Sequence, residues 1–222
     1  MSKKRFAVIV AGGKGTRMQS DLPKQFLLLK GKPILMHTLE VFYTFDASVE
    51  IILVLPKDQQ VYWKELCEEF SFSVPHQIAD GGSTRFHSVF NGLSKIKGEG
   101  VVAIHDGVRP FVSLSVLATC YGEAEKKKAI IPVIDVQESL REIKGEGETR
   151  MVDRSKFLIV QTPQVFEVET LKNAYKQPYT SLFTDDASVV EANGGAIHTV
   201  KGNEENIKLT TPYHLKIAES LM

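Results

Sequence analysis

Cysteine is scarce in this chain of 222 residues, there is no net charge, and no apolar run is long. Each shortage excludes something. The two cysteines, Cys67 and Cys120, stand far apart in segments that read as helices, which fits reduced thiols rather than a bridge or a metal pair, and points to the cytoplasm. With Lys+Arg and Asp+Glu both at 27, no global field draws the chain to nucleic acid or to an anionic membrane, so any anion site has to be made locally. No stretch approaches the length needed to span a bilayer. The cations Lys3, Lys4 and Arg5 before "FAVIVA" imitate a signal peptide, but that apolar run is too short and ends in glycines without a cleavage site. Zinc-type Cys/His spacing and a nucleophile elbow are both missing, and the six histidines show no paired spacing. A reaction that needs a strong protein base is poorly served.

What is present is an alternation. Short β-branched runs at 6–11, 49–55, 76–79, 101–106, 129–134, 158–163 and 196–200 are separated by helical patterns at 33–45, 58–70, 84–96, 113–127, 167–176 and 185–193. A last helix opens at Thr211-Pro212. This order predicts an α/β fold in one domain, 1–222, with a parallel sheet covered by helices on both faces. One segment departs from it: residues 135–156 are polar and carry a Gly145-Glu146-Gly147 turn signal between weakly alternating stretches, which predicts a projecting hairpin. A two-stranded ribbon is marginal alone in water, so a second subunit is its expected support.

Four groups of residues could carry chemistry. "AGGKGTRM" (11–18) follows the first strand, where open α/β sheets bind ligands; glycines let a ligand approach the backbone, and Lys14, Arg17 and Lys24 of "LPKQF" add cations. It completes neither a Walker loop nor a dinucleotide fingerprint, and three cations around one glycine loop suggest a triphosphate. "GGSTRFHSVFNGL" (81–93) reads either as a loop and helix cap or as a pocket where backbone groups and Ser88 bond a base. "HDGVRP" (105–110) ends a central strand with Asp106, well placed to hold Mg²⁺, and with Arg109, which could hold an anion; a structural Asp–Arg pair is the alternative, and His105 reads as a core histidine. The last group comprises Arg154, Thr162 in "QTPQ", "TDDAS" (184–188) and Lys208, whose apolar neighbours Ile207 and Leu209 leave it either snorkelling or reaching into a site.

These groups suit a reaction whose nucleophile is itself a phosphate. A phosphomonoester has its second ionisation near ~6, so it needs no base; the obstacle is one anion meeting another. Cations and Mg²⁺ remove it by screening, aligning the reactants and stabilising charge as pyrophosphate leaves.

Taken in order, "AGGKGTRM", "PKQF", "GGSTRFHSV", "HDGVRP", "VDR", "TPQ", "TDDAS" and "GNEENIKLTTP" make the chain resemble, over nearly its whole length, the 2-C-methyl-D-erythritol 4-phosphate cytidylyltransferases of the non-mevalonate isoprenoid pathway. The resemblance implies a Rossmann-like nucleotidyltransferase fold with a mostly parallel twisted sheet, and a homodimer whose 135–156 arms embrace the neighbouring subunit. It also implies Mg²⁺-dependent attack of a polyol phosphate on the α-phosphate of CTP. By motif, Arg17 and Lys24 resemble the transition-state cations, and Ala11, Gly12, Gly13 and Gly15 the triphosphate cradle. Gly82 and Ser88 resemble cytosine contacts. Arg154 and Lys208 resemble residues that position the methylerythritol phosphate, with Asp106 and Arg109 near the metal and the sugar phosphate and Thr162 grouped with them. Ser139 stands where the family has a substrate-contacting threonine. Ala-Gly-Gly in place of Ala-Ala-Gly also occurs in the related ribitol 5-phosphate cytidylyltransferases, which keeps ribitol phosphate as the rival substrate. A non-catalytic nucleotide-binding module is the rival from another class.

Overall fold

The computed structural model describes residues 3–13 and 22–222. In the first strand, β1 (Arg5–Val10), alternate side chains go to opposite faces: Ala7 and Ile9 join one apolar cluster, Phe6 and Val8 another. The same division holds along β4 (Glu50–Leu55) and β6 (Val101–Asp106), whose near-continuous apolar runs are those of strands buried on both faces. The first cluster is covered by α1 (Ile34–Phe45), α2 (Gln60–Glu69) and α4 (Leu114–Lys127). The second is covered by α3 (Arg85–Lys95), α5 (Val168–Ala174) and α6 (Asp186–Ala192). Helices therefore lie on both faces, as the alternation predicts.

Two short strands, β2 (Leu28–Leu29) and β3 (Lys32–Pro33), form a small separate sheet before α1. The main sheet is 8-stranded, with β5 (Gln77–Asp80), β4, β1 and β6 in parallel register on one side. Beyond β6 come β11 (Gln164–Glu167), β7 (Ala129–Asp135) and β10 (Leu158–Val160), and β12 (His198–Lys201) runs parallel to β7. The helix α7 (Pro212–Leu221) starts from the N-cap of Thr211, whose side chain accepts from the His214 N–H, with proline in its first turn.

The stretch 158–163 corrects the sequence reading. It is not one strand of a parallel set: β10 ends at Val160, β11 begins at Gln164, and both run antiparallel to β7. The reason lies in the arm. A parallel return requires a crossover, whereas here the chain leaves β7, makes the hairpin β8 (Arg141–Gly145) and β9 (Glu148–Met151), and comes back along the strand it left. The hairpin turns at Gly145, Glu146 and Gly147, all at positive φ, so the turn glycines do what that sequence signal predicts. Ile143 and Met151 on this arm are largely exposed.

Cys67 and Cys120 are free thiols, and burial pushes the Cys120 thiol up to about 12. No helix among the described residues is long and apolar enough to cross a membrane.

His105 is fully buried on β6 against the edge of Phe42, with Nε2 on the Arg109 carbonyl and Nδ1 on the Thr162 hydroxyl. It is the satisfied core histidine that the sequence suggests. Burial pushes its pKa down to about 4, against the pull of the Arg109 carbonyl and of Asp106. His76, which accepts the Trp63 indole N–H at 3.0 Å, is lowered in the same way. An unfolded histidine takes up its proton near ~6.5, so between there and about 4 the unfolded chain binds more protons than the folded one. Stability is expected to fall as pH drops through that window, by about 3 kcal/mol from His105 at full extent, and then to level off for this group. Urea unfolding at pH 7 and at pH 4.5 checks this, and His105→Asn is expected to flatten part of the slope.

Candidate active site

Because β1, β4, β5 and β6 are parallel and in register, with Val10 opposite Val54 and Asp106 and with Leu55 opposite Asp80, their C-terminal ends and the loops that follow lie together. A cavity of about 240 Å³ opens at this edge. It brings together Ala11, Gly12 and Gly13 after β1, Lys24, Gly82 and Ser88 around the start of α3, Asp106 at the end of β6, and Lys208. Gly15 and Arg17, with Lys14, lie outside the described residues.

The glycines divide into two kinds. A Cβ on Gly82 would overlap the His87 Cβ and stand 2.9 Å from the Ser88 nitrogen, so the close packing of this loop on α3 demands glycine. Among the described residues, a Cβ on Gly12 would meet nothing nearer than 3.8 Å, and on Gly13 nothing nearer than the Lys24 Cε at 3.5 Å. Packing among the described residues does not require glycine at these two positions. What their small size leaves clear is the approach to the backbone from the cavity.

The N-terminal end of α3 also faces the cavity through Ser83, the cap Thr84 and Arg85, so the positive end of the helix contributes to it. Thr84 caps that helix by accepting from the His87 N–H. Ser88 accepts from the Gly82 N–H at 3.0 Å and donates to the Thr84 carbonyl at 3.0 Å, so its hydroxyl fixes the shape of the loop.

Asp106 is the electrostatic centre. Its Oδ2 receives the Arg109 Nε–H at 3.0 Å and lies 3.0 Å from the Lys208 Nζ, while its backbone N–H donates to the Thr162 hydroxyl at 3.1 Å. Burial by itself would raise its pKa; the fields of Lys208, Arg85 and Arg109 and the Arg109 hydrogen bond outweigh that and hold the carboxyl well below the usual carboxylate range. The Asp–Arg pair and the inward-reaching lysine are thus both present, in one cluster. Arg109 also donates through Nη1 to the Asn206 carbonyl at 2.7 Å. Thr162 is buried, and its hydroxyl serves Asp106 and His105 from behind without lining the cavity.

Arg85 is a cation that sequence reasoning passed over. It donates from Nη2 to Asp186 Oδ2 at 2.6 Å, and Asp186, fully buried, also accepts from the Tyr175 hydroxyl at 2.6 Å. Burial works against the charge on Arg85, and Asp186 more than compensates, so the guanidinium stays charged beside the cavity. The signal was in "TDDAS": Asp185 is the helix N-cap, with a capping box to Ser188, but its neighbour Asp186 points inward as a counter-ion. Gln25 of "PKQF" is another cavity residue that the motif reading left without a role.

The arm residues lie elsewhere. Ser139 is exposed, and Arg154 is exposed in a short 3₁₀ turn, Arg154–Lys156, where it donates to the Gln137 carbonyl at the base of the arm. Neither lines the cavity within this chain.

This arrangement can hold a polyanion. Open backbone, Lys24, Lys208, Arg85 and a helix N-terminus line the cavity together with Asp106, which Arg109 holds without lining the cavity itself. The family model described as 2-C-methyl-D-erythritol 4-phosphate cytidylyltransferase (IspD) matches residues 6–222. The chain is 62% identical over 218 residues to the 2-C-methyl-D-erythritol 4-phosphate cytidylyltransferase of Phocaeicola vulgatus, covering 98% of this chain and 99% of that protein. Among solved structures it is similar to the 2-C-methyl-D-erythritol 4-phosphate cytidylyltransferase of Thermus thermophilus, with a TM-score of 0.80 and 30% identity, over 100% of this chain and 98% of that one. It is similar also to the 4-diphosphocytidyl-2C-methyl-D-erythritol synthase of Anaerococcus prevotii, with a TM-score of 0.83 and 27% identity, over 99% and 96% of the two chains. Match over this length, and at this identity, means that the chain belongs to the 2-C-methyl-D-erythritol 4-phosphate cytidylyltransferase family.

Proposed function

We propose that this protein transfers the cytidylyl group of CTP to 2-C-methyl-D-erythritol 4-phosphate, giving 4-diphosphocytidyl-2-C-methyl-D-erythritol and pyrophosphate. The observation that carries this reading, beside family membership, is the cavity in which the glycine loop and Lys24 stand with the Asp106 cluster and Lys208. An oxygen of the polyol phosphate attacks the α-phosphorus of CTP, a new P–O bond forms, and the bond to the β-phosphate breaks. The attacking dianion carries no proton that must be removed, in keeping with a site whose buried histidine stays neutral.

In this reading the backbone of Ala11, Gly12 and Gly13, with Gly15, cradles the triphosphate. Lys24, with Arg17, balances charge as pyrophosphate leaves. Gly82 and Ser88 shape the base pocket. Lys208 and Arg109, held by Asp106, receive the second phosphate, with Arg154 and Ser139 supplied by the arm and Thr162 acting through Asp106. Nucleotidyltransferases of this kind generally use a divalent cation, and Mg²⁺ fits the donor set here. It takes one or two carboxylates with phosphate oxygens and water, and Asp106 supplies one; among the described residues no cluster of three acidic, histidine or cysteine side chains exists, and Mg²⁺ does not require one. When bound, Mg²⁺ neutralises phosphate charge.

A homodimer through the 135–156 arm completes the proposal. Phe157, Leu158, Ile159 and Val160, at the foot of the arm, are each 39–47% exposed, an apolar run that a single chain leaves uncovered. The raised thiols Cys67 and Cys120 suit the reducing cytoplasm.

Incubation with CTP, Mg²⁺ and each of 2-C-methyl-D-erythritol 4-phosphate and ribitol 5-phosphate, followed by pyrophosphate release, tests the reaction and the substrate together. Turnover is expected with the first; preference for ribitol phosphate would overturn the substrate, and silence with both would leave a binding module. Lys24→Ala is expected to lower kcat by on the order of 10²–10³. Arg154→Ala is expected to raise KM for the polyol phosphate while leaving that for CTP unchanged; KM values for both that match the parent would put the arm outside the site.

A further inference from the structure

Gln25 is wholly buried in the middle of the short turn Lys24–Phe26, yet it lines the cavity. Its Nε2 donates to the Ala11 carbonyl at 2.8 Å and to Gln59 Oε1 at 2.7 Å. A backbone carbonyl can only accept, so the amide has one orientation: nitrogen toward Ala11, Oε1 away from it. That Oε1 is buried and has no hydrogen-bond partner among the described residues. An acceptor left unmade in the interior is a cost that an apolar side chain of the same length would avoid. Filling the space does not by itself call for an amide; the two bonds that Nε2 donates are what an apolar side chain would lose.

What the amide does and an apolar chain cannot is donate to two loops at once. Ala11 directly precedes Gly12 and Gly13. Gln59 closes the turn that follows β4, its own N–H donating to the Pro56 carbonyl at 3.0 Å. Gln25 is bonded covalently to Lys24, whose Cε and Nζ lie 3.5 and 3.6 Å from where a Cβ on Gly13 would stand. The neighbouring Phe26 is buried against Trp63 and Tyr62, so the turn cannot slide without disturbing that packing.

We propose that Gln25 is a positioning residue: by bridging Ala11 and Gln59 it sets Lys24 against the Gly12–Gly13 backbone, so that the cation and the glycine loop hold the triphosphate as one unit. This rests on the reading of the cavity as the CTP site.

The test uses the full chain with Gln25→Met, Lys24→Ala and the double variant, read by steady-state pyrophosphate release and by thermal melting. Gln25→Met, similar in length and without a donor, is expected to melt within about 5 °C of the parent. Its kcat is expected to fall on the order of tenfold, with KM for the polyol phosphate unchanged. In the Lys24→Ala background the same change is expected to lower kcat less than about twofold, because the two residues act as a unit. Parent-like kcat in Gln25→Met, or an equal loss with and without Lys24, overturns the proposal. If Gln25→Met melts far lower, Gln59→Leu at the half-buried partner removes one of the two acceptors and is expected to show a smaller fall in kcat at parent stability; no fall overturns the proposal. Absence of pyrophosphate release in the parent chain would instead overturn the CTP reading itself.

Discussion

An ionised carboxylate buried at the end of a central strand is the constraint on which the site depends. Asp106 could not keep its charge there alone, since the desolvation of an isolated carboxylate would neutralise it. It keeps it because Lys208, Arg85 and Arg109 surround it from three separate parts of the chain. The dependence is mutual. Without the carboxylate, the cations would repel one another; with it, they gather, and Lys208 and Arg85, which line the cavity, face an incoming anion. A chain with zero net charge thereby makes a strongly charged site locally, from residues far apart in sequence.

The fold supplies the precision. Asp106 sits at the end of β6 because β6 is locked between β1 and β11, and its backbone N–H is held by Thr162. Behind it, His105 remains neutral and satisfied between Arg109 and Thr162. Arg85 reaches the site from α3, bonded to Asp186, which is itself buried and bonded to Tyr175. Each cation is thus tied to a different layer of the molecule, and small movements of one layer would be felt at the carboxylate. Lys208 differs in being 40% exposed at its side chain, so it is the cation best placed to exchange partners when a phosphate arrives.

Much of this was legible in the sequence, for identifiable reasons. Strands buried on both faces announce themselves as apolar runs, and glycines, prolines and capping residues mark where they stop, so β1, β4 and β6 and the loops after them could be read directly. The arm was visible from its turn glycines. The antiparallel return of β10 and β11 was recoverable in principle, since no α-helix lies between β7 and β10, but periodicity says nothing about direction. What sequence could not give was pairing. In "TDDAS" two adjacent acids look alike, and only the packing of α6 separates the cap Asp185 from the counter-ion Asp186. Likewise "PKQF" draws attention to its lysine, while the role of Gln25 depends on Ala11 and Gln59, distant neighbours that only folding brings within reach.

The most direct measurement of the central claim is an NMR titration of the Asp106 side-chain carboxyl carbon in the unliganded protein and in Lys208→Ala. The account predicts a carboxyl that stays ionised well below the ordinary aspartate range, and a midpoint that moves upward when Lys208 is removed. An ordinary aspartate midpoint, indifferent to the loss of Lys208, would contradict it.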